Sequence, residues 1–100
     1  MLYRISSKDV NNSLPIRQAN RPAHLARLEQ LQEAGRLVLA GPYPAIDSPA
    51  PAEAGFSGSL IVAEFKDLQQ ATDWANNDPY KLAGVYDQVD VRPFLQVFPK

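Results

Sequence analysis

The sequence of 100 residues contains no cysteine and only one histidine. The absence of cysteine excludes disulfide scaffolds, zinc sites built from thiolates, and thiol nucleophiles. Acidic and basic side chains almost balance, at a formal net charge of −1, which leaves no electrostatic case for binding nucleic acid or an anionic membrane. We therefore expect neither nucleic acid nor a membrane among the partners.

Long apolar runs are also missing. No run approaches the roughly 20 residues that a membrane helix needs, and the start of the chain, Met1–Ser6, lacks the basic and then apolar pattern of a signal segment. Hydrophobic residues at 45% and charged residues at 21% are typical of a globular domain. We expect a single domain over residues 1–100, located in the cytoplasm.

Hydrophobic periodicity and helix-capping residues predict six main elements. Asn20 is the expected cap of the first helix and Gly35 its stop, while Asn12 or Ser13 caps at most one earlier turn. The elements are a strand at 2–6, a helix at 21–34, strands at 37–40 and 59–65, a helix that opens at 67, and an extended segment at 85–98. The segment Gly41–Gly55 is predicted to be a long loop, and 79–83 a further helical turn. Because Pro93 interrupts the last segment, that segment should form an edge strand or carry a bulge.

The element order is strand, helix, strand, strand, helix, strand. With right-handed crossovers this order predicts an α+β fold of the ferredoxin-like βαββαβ type, a four-stranded antiparallel sheet with two helices on one face. The strand at 59–65 is apolar on both sides, with Leu60 and Val62 on one and Ile61 and Ala63 on the other. Helices cover only one face, so we expect a second copy to cover the other, forming a homodimer.

His24 is the clearest candidate for chemistry, because histidine is the side chain that titrates nearest neutral pH. It precedes Leu28 and Leu31 on the sheet-facing stripe, at the predicted start of a helix, where the helix dipole favours the neutral ring. Asp78 lies in a connection that reaches the same end of the sheet and would orient the ring. The alternatives are a partly buried histidine bonded to backbone and an aspartate that only caps a helix before Pro79.

Four further residues are candidates for binding a substrate. Arg21 is suited to an anionic group, although a solvated helix end is the alternative. Ser59 is suited to donating a hydrogen bond but is not a nucleophile, because its flanks lack the Gly-x-Ser-x-Gly turn. Tyr80 and Tyr43 either line a pocket or stand at its rim.

Several other classes of protein require residues that this sequence lacks. The element order is shared by RNA-binding RRM domains, but Leu60 and Val62 stand where stacking aromatic rings are needed. There is no glycine-rich phosphate loop or dinucleotide fingerprint, and nothing supports a metal site built on one histidine. We expect neither a metal nor a cofactor.

A set of motifs along nearly the whole chain resembles the YciI-like family, part of the dimeric α/β-barrel superfamily. They are Arg21-Pro22-Ala23-His24-Leu25, Gly35-Arg36-Leu37, Ala40-Gly41-Pro42, Gly55-Phe56-Ser57-Gly58-Ser59, Ala63-Glu64-Phe65, Asp78-Pro79-Tyr80, Ala83-Gly84-Val85 and Val91-Arg92-Pro93-Phe94.

The resemblance implies a dimeric α/β barrel of ferredoxin-like protomers, with a pocket centred on His24 and Asp78 and with Pro42 beside it. Relatives in the superfamily include muconolactone isomerases and a dehydrochlorinase, which implies proton-transfer chemistry. We therefore expect a cofactor-independent enzyme, an isomerase or lyase, that acts on a small molecule. The alternative is a non-catalytic dimeric module that binds a small ligand or accompanies other enzymes, in which the His24 and Asp78 pair is structural.

Overall fold

A computed structural model describes residues 1–100 and contains four strands and three α-helices. In chain order the elements are β1 (Leu2–Asp9), α1 (Leu14–Glu33), β2 (Leu37–Pro44), a 3₁₀ turn (Ala52–Ala54), β3 (Phe56–Glu64), α2 (Leu68–Asn76), α3 (Pro79–Leu82) and β4 (Tyr86–Phe94). Although α1 has 20 residues, it is too polar to span a bilayer, and the other helices are far too short.

The four strands form one antiparallel sheet in the order β2-β3-β1-β4, with the first and third strands at its centre. The helices pack on one face, where they meet the alternate residues of β1 and β3 that point inward. The buried cluster consists of Tyr3, Ile5, Leu31, Ile61, Ala63, Phe65, Ala71 and Ala75. The predicted ferredoxin-like α+β fold is confirmed.

The prediction for the start of α1 is wrong. The helix begins at Leu14, with Pro15 in its first turn, and continues through Pro22 without interruption. Pro22 cannot donate to the Gln18 carbonyl, a defect that costs about 3 kcal/mol in a helix interior. Burial of Arg17, His24 and Leu31 against the sheet offsets that cost. His24 therefore lies in the middle of α1, and the helix-dipole argument for its neutral form does not apply.

The second strand is longer and more exposed than predicted. We expected a strand at 37–40 covered on both faces, but β2 runs to Pro44 and is an edge strand whose residues beyond Leu37 are exposed. It therefore takes the first four residues of the predicted loop at 41–55. Ser59 likewise lies inside β3 rather than at its start, because that strand begins at Phe56.

The second helix and the last strand form as expected. Asp67 caps α2 by accepting a hydrogen bond from the Gln70 N–H at 2.8 Å, while the Gln70 side chain accepts from the Lys66 N–H. The helical turn expected at 79–83 forms as α3, and Gly84, at φ +86°, follows it in the position that glycine favours after a helix. Pro93 lies in β4, which is an edge strand, as its sequence indicated.

The sheet face opposite the helices carries no other element of the chain. Its β1 and β4 half is polar, where Arg4 and Arg92 both pair with Asp90. Its β2 and β3 half is apolar, with Leu39 beside Val62 across the two strands. Both sides of β3 are thus apolar, as predicted.

Candidate active site

The site is built around a contact between α1 and the start of α3. His24 Nδ1 lies 2.8 Å from Asp78 Oδ1 and 3.0 Å from Oδ2, and both side chains are buried. An ionised carboxylate can only accept hydrogen bonds, so Nδ1 carries the ring proton and donates a hydrogen bond to Asp78. In the neutral ring Nε2 is then left with a free lone pair.

Asp78 also performs the capping role that was its alternative interpretation. Its Oδ1 accepts a hydrogen bond from the Tyr80 N–H at 2.8 Å, which begins α3. The same carboxylate oxygen serves both roles, because Oδ1 contacts the imidazole of His24 and also accepts from the Tyr80 amide. The cap therefore holds the carboxylate in the orientation that the ring requires.

The Tyr80 ring stacks on the imidazole, with centroids 3.9 Å apart and planes at 7°. Together with Asp78 this fixes the orientation of the His24 ring. No side-chain nitrogen or oxygen is both fully buried and without a hydrogen-bond partner, and His24 has no partner other than Asp78. His24 lines a cavity of about 520 Å³, so Nε2 is open to that space.

Of the predicted site residues, all but Asp78 and Tyr43 line this cavity, and the Tyr43 hydroxyl instead lies 3.0 Å from Ser6 Oγ. Arg21 lines it from α1 and has no carboxylate partner, Tyr80 lines it from α3, and Pro42 lines it from the edge strand β2. Ser59 lines it from β3. Asp78 stands behind His24, at 2% exposure, and reaches the cavity only through the imidazole. The apolar wall is made by Leu14, Leu25, Leu28, Ala40 and Phe56.

A buried polar network that the sequence did not predict lies beside the cavity. Arg17 binds both carboxylate oxygens of Asp9, at 2.6 and 2.9 Å, and Asp9 also accepts from the Ser13 hydroxyl. The Arg17 Nη2 donates further, to the Gly58 carbonyl and to Ser59 Oγ, each at 2.9 Å. Because the negative charge of Asp9 balances the positive charge of the guanidinium, Arg17 brings hydrogen-bond donors to the site while the pair adds little net charge.

The electrostatics of the network follow from burial. Burial opposes the charge of Arg17, but the hydrogen bonds and charge of Asp9 outweigh it, so the pKa of Arg17 lies above its ordinary value. Burial also raises the pKa of Tyr86 well above its ordinary value. The pKa of Tyr80 is raised by burial too, although the nearby Arg17 and Arg21 oppose that shift. Both phenols therefore stay protonated near neutral pH.

The sequence does contain a helical periodicity that includes Arg17. Arg17, Arg21, His24, Leu28 and Leu31 follow at spacings of four, three, four and three residues, which places them on one helix face. Starting the helix at residue 21 removed Arg17 from that stripe. No such signal exists for Tyr86, whose partner Ser59 is 27 residues away in the chain.

No three histidine, aspartate or glutamate side chains come together in the manner of a metal site. The two acidic residues near the cavity are both engaged, Asp9 by Arg17 and Asp78 by His24. The chemistry that the arrangement offers is that of an oriented imidazole next to several hydrogen-bond donors.

Comparison with known proteins gives consistent matches. The model of the YCII-related domain matches residues 1–95. Protein YciI of Escherichia coli is 54% identical over 98 residues, covering 98% of this chain and all of the relative. An uncharacterised protein of Haemophilus influenzae is 55% identical over the same length.

Among solved structures, the chain is similar to the 5-chloro-2-hydroxyhydroquinone dehydrochlorinase of Burkholderia phenoliruptrix in complex with 2,5-dihydroxybenzoquinone. The TM-score is 0.84 at 28% identity, with 95% of this chain and 94% of that chain covered. The likeness therefore extends over nearly the whole fold.

Proposed function

Because the chain belongs to the family of YCII-related domains, which includes YciI, we propose that it catalyses proton transfer on a small organic molecule, with His24 as general base and acid. One observation carries the proposal: Nδ1 is fixed on Asp78 while Nε2 faces the cavity without a protein partner. An oriented imidazole of this kind contributes about 10²- to 10⁴-fold to a rate.

The reaction balances with this chain's own groups. Nε2 takes a proton from a C–H or O–H of the substrate, and the imidazolium that forms is stabilised by Asp78. Return of the proton to another atom completes an isomerisation. Departure of a leaving group with its electron pair completes an elimination, after which the imidazolium releases its proton to solvent. The dehydrochlorinase activity of the structural neighbour supports the second outcome, and enolic or hydroxyquinone compounds are the substrate class that we propose.

The cavity suits such a substrate. Arg17 and Arg21 are the only charged side chains that line it, and both neighbouring carboxylates lie behind other side chains. The lining is otherwise mostly apolar and includes the flat ring of Tyr80. A planar anion of one ring matches a space of this polarity and a volume of about 520 Å³.

Proton exchange tests the proposal without knowledge of the physiological substrate. In D₂O, the wild-type protein should accelerate exchange of the ring hydrogens of 2,5-dihydroxybenzoquinone, followed by NMR. His24→Gln should lose the acceleration while losing no more than about 1 kcal/mol of unfolding free energy, because the glutamine amide can still donate to Asp78. Gln30→Ala, at an exposed position of α1, is the matched control.

The alternative, a non-catalytic dimeric module, gives the opposite pattern. Its support is that His24 is only 6% exposed and ties α1 to α3. In that case the wild-type protein would not accelerate exchange, and the only effect of His24→Gln would be a loss of stability, of about 1–3 kcal/mol if the glutamine amide does not meet Asp78.

We also propose that the protein is a homodimer formed through the sheet face opposite the helices. The apolar half of that face, including the half-exposed Leu39, would be covered by the second copy. Light scattering at micromolar concentration should give twice the chain mass, and Leu39→Lys should reduce it to that of one chain. A monomeric wild-type protein would refute this assembly.

A further inference from the structure

The hydroxyl group of Ser59 has two donors directed at its oxygen. Ser59 is 4% exposed, and its Oγ accepts hydrogen bonds from Arg17 Nη2 at 2.9 Å and from the Tyr86 hydroxyl at 3.1 Å. The guanidinium of Arg17 has no lone pair, so it is the donor in any arrangement. The serine oxygen is therefore the point at which a buried arginine and a buried tyrosine converge.

A serine hydroxyl has two lone pairs and one hydrogen. In this structure the two donors occupy both lone pairs, and no protein acceptor is paired with the Ser59 hydrogen. Ser59 lines the same cavity as His24, so that hydrogen is available to a molecule in the cavity. A free serine hydroxyl can either donate or accept a hydrogen bond, but the Ser59 hydroxyl can only donate one to a molecule in the cavity.

The two donors are themselves held in place. Arg17 is fixed by its two hydrogen bonds to Asp9, and the Tyr86 ring packs edge-on against Tyr80, with centroids 5.9 Å apart. Tyr86 is buried and has no acceptor other than Ser59. The direction of the Ser59 hydrogen is thus set by side chains that do not themselves need to touch a ligand.

We propose that Ser59 donates its hydroxyl hydrogen to an anionic oxygen of the substrate, and that Tyr86 is the positioning residue that leaves the hydroxyl no other role. The inference rests on the proposed function and narrows it to substrates that carry or develop an enolate or phenolate oxygen. When Nε2 of His24 takes a proton from carbon, the electron pair moves onto such an oxygen, and a donor already directed at it stabilises the charge.

Binding of 2,5-dihydroxybenzoquinone tests the inference, because its enolic hydroxyls ionise and its visible absorption reports their ionisation. Ser59→Ala should weaken binding about tenfold or more, the value of a hydrogen bond to a charged group. It should also shift ionisation of the bound quinone to higher pH, because the anion has lost a donor. Tyr86→Phe should shift both quantities in the same direction by a smaller amount.

Ser57→Ala is the matched control, since Ser57 lies two residues away on β3, is exposed and does not line the cavity. It should leave affinity and ionisation unchanged. A purely structural role for Tyr86 would lower the amount of folded protein in Tyr86→Phe but would not move the ionisation of the quinone that remains bound.

Failure of this inference is separable from failure of the proposed function. If Ser59→Ala binds the quinone with wild-type affinity and ionisation while His24→Gln abolishes proton exchange, the donor role is wrong and the proton-transfer function stands. If the wild-type protein does not bind the quinone at all, the enolate substrate class is overturned.

Discussion

Asp78 holds the imidazole of His24 with both carboxylate oxygens, at 2.8 and 3.0 Å, and does so across 54 residues of sequence. One of these oxygens is also the cap of α3. The geometry of the imidazole is therefore tied to the folding of a four-residue helix, and the carboxylate cannot turn away without releasing that helix.

Two substitutions separate these roles of Asp78. Asp78→Asn keeps an oxygen that can accept from the Tyr80 amide but removes the charge that stabilises an imidazolium, so proton exchange should fall by about 10²- to 10⁴-fold with the fold retained. Asp78→Ala removes the cap as well, which should cost about 1–3 kcal/mol of unfolding free energy. Urea unfolding and NMR exchange measure the two effects. Wild-type exchange in Asp78→Asn would contradict the orienting role.

The Arg17 and Asp9 pair should be far more important to stability than the exposed pair of Arg92 and Asp90. Arg17→Met leaves the Asp9 carboxylate buried and unpaired, so we expect a loss of about 3–5 kcal/mol in urea unfolding. Asp9→Asn added to Arg17→Met should restore part of that loss. Arg92→Met, the control, should cause no measurable change because its pair is in solvent. Equal losses for both single variants would show that burial of the Arg17 pair is not what matters.

Gly58 is required by the pairing of β3 with β1. A Cβ at this position would lie 2.0 Å from the carbonyl oxygen of Ser7 and 2.9 Å from the Tyr43 ring, so the two strands would have to separate. Gly58→Ala should therefore cost about 2 kcal/mol or more of unfolding free energy. A Cβ on Gly41, on β2, would meet nothing within 4 Å, so Gly41→Ala should be nearly neutral. Thermal or urea unfolding of the two variants checks the difference.

Stability should fall at alkaline pH because of Tyr86. Burial raises the pKa of Tyr86 in the folded protein, whereas in the unfolded chain it ionises near pH 10. Below that pH both states hold the proton and the contribution is constant; above it only the unfolded chain releases the proton, so the free energy of unfolding decreases as the pH rises. The raised pKa of Tyr80 acts in the same direction.

Urea unfolding between pH 8 and 11 measures this slope, which for one group approaches about 1.4 kcal/mol per pH unit. Tyr86→Phe should flatten it, while Tyr43→Phe, at an exposed ring, should not. An unchanged slope in Tyr86→Phe would show that the phenol is not protected by the fold.

Much of the fold was predictable because local signals agreed with the tertiary structure. The apolar run in β3, the cap at Asp67 and the stop at Gly84 each report a local geometry that the chain adopts. The start of α1 was not predictable in the same way. Asn20 and Pro22 together favour a helix start, and only the packing of Arg17 on the sheet makes the helix continue through the proline.

The site divides along the same line. His24 and Asp78 were identifiable because each lies in a recognisable local motif. Arg21 and Ser59 were also identifiable as residues near the cavity, although the predicted bounds of their helix and strand were wrong. The partners of Ser59 were not identifiable, because Arg17 and Tyr86 converge on it from α1 and β4 through tertiary contacts alone. The direction of the hydrogen bonds at a hydroxyl depends on all its neighbours in space, so no single segment of the sequence predicts it.

Both borders of the sheet carry proline: Pro42 and Pro44 in β2, and Pro93 in β4. A proline nitrogen has no hydrogen to offer to an adjoining strand, so neither border is a good template for side-by-side growth. Fibril-like stacking of copies edge to edge is thereby discouraged, and the face of the sheet that the helices leave uncovered is the better surface for association.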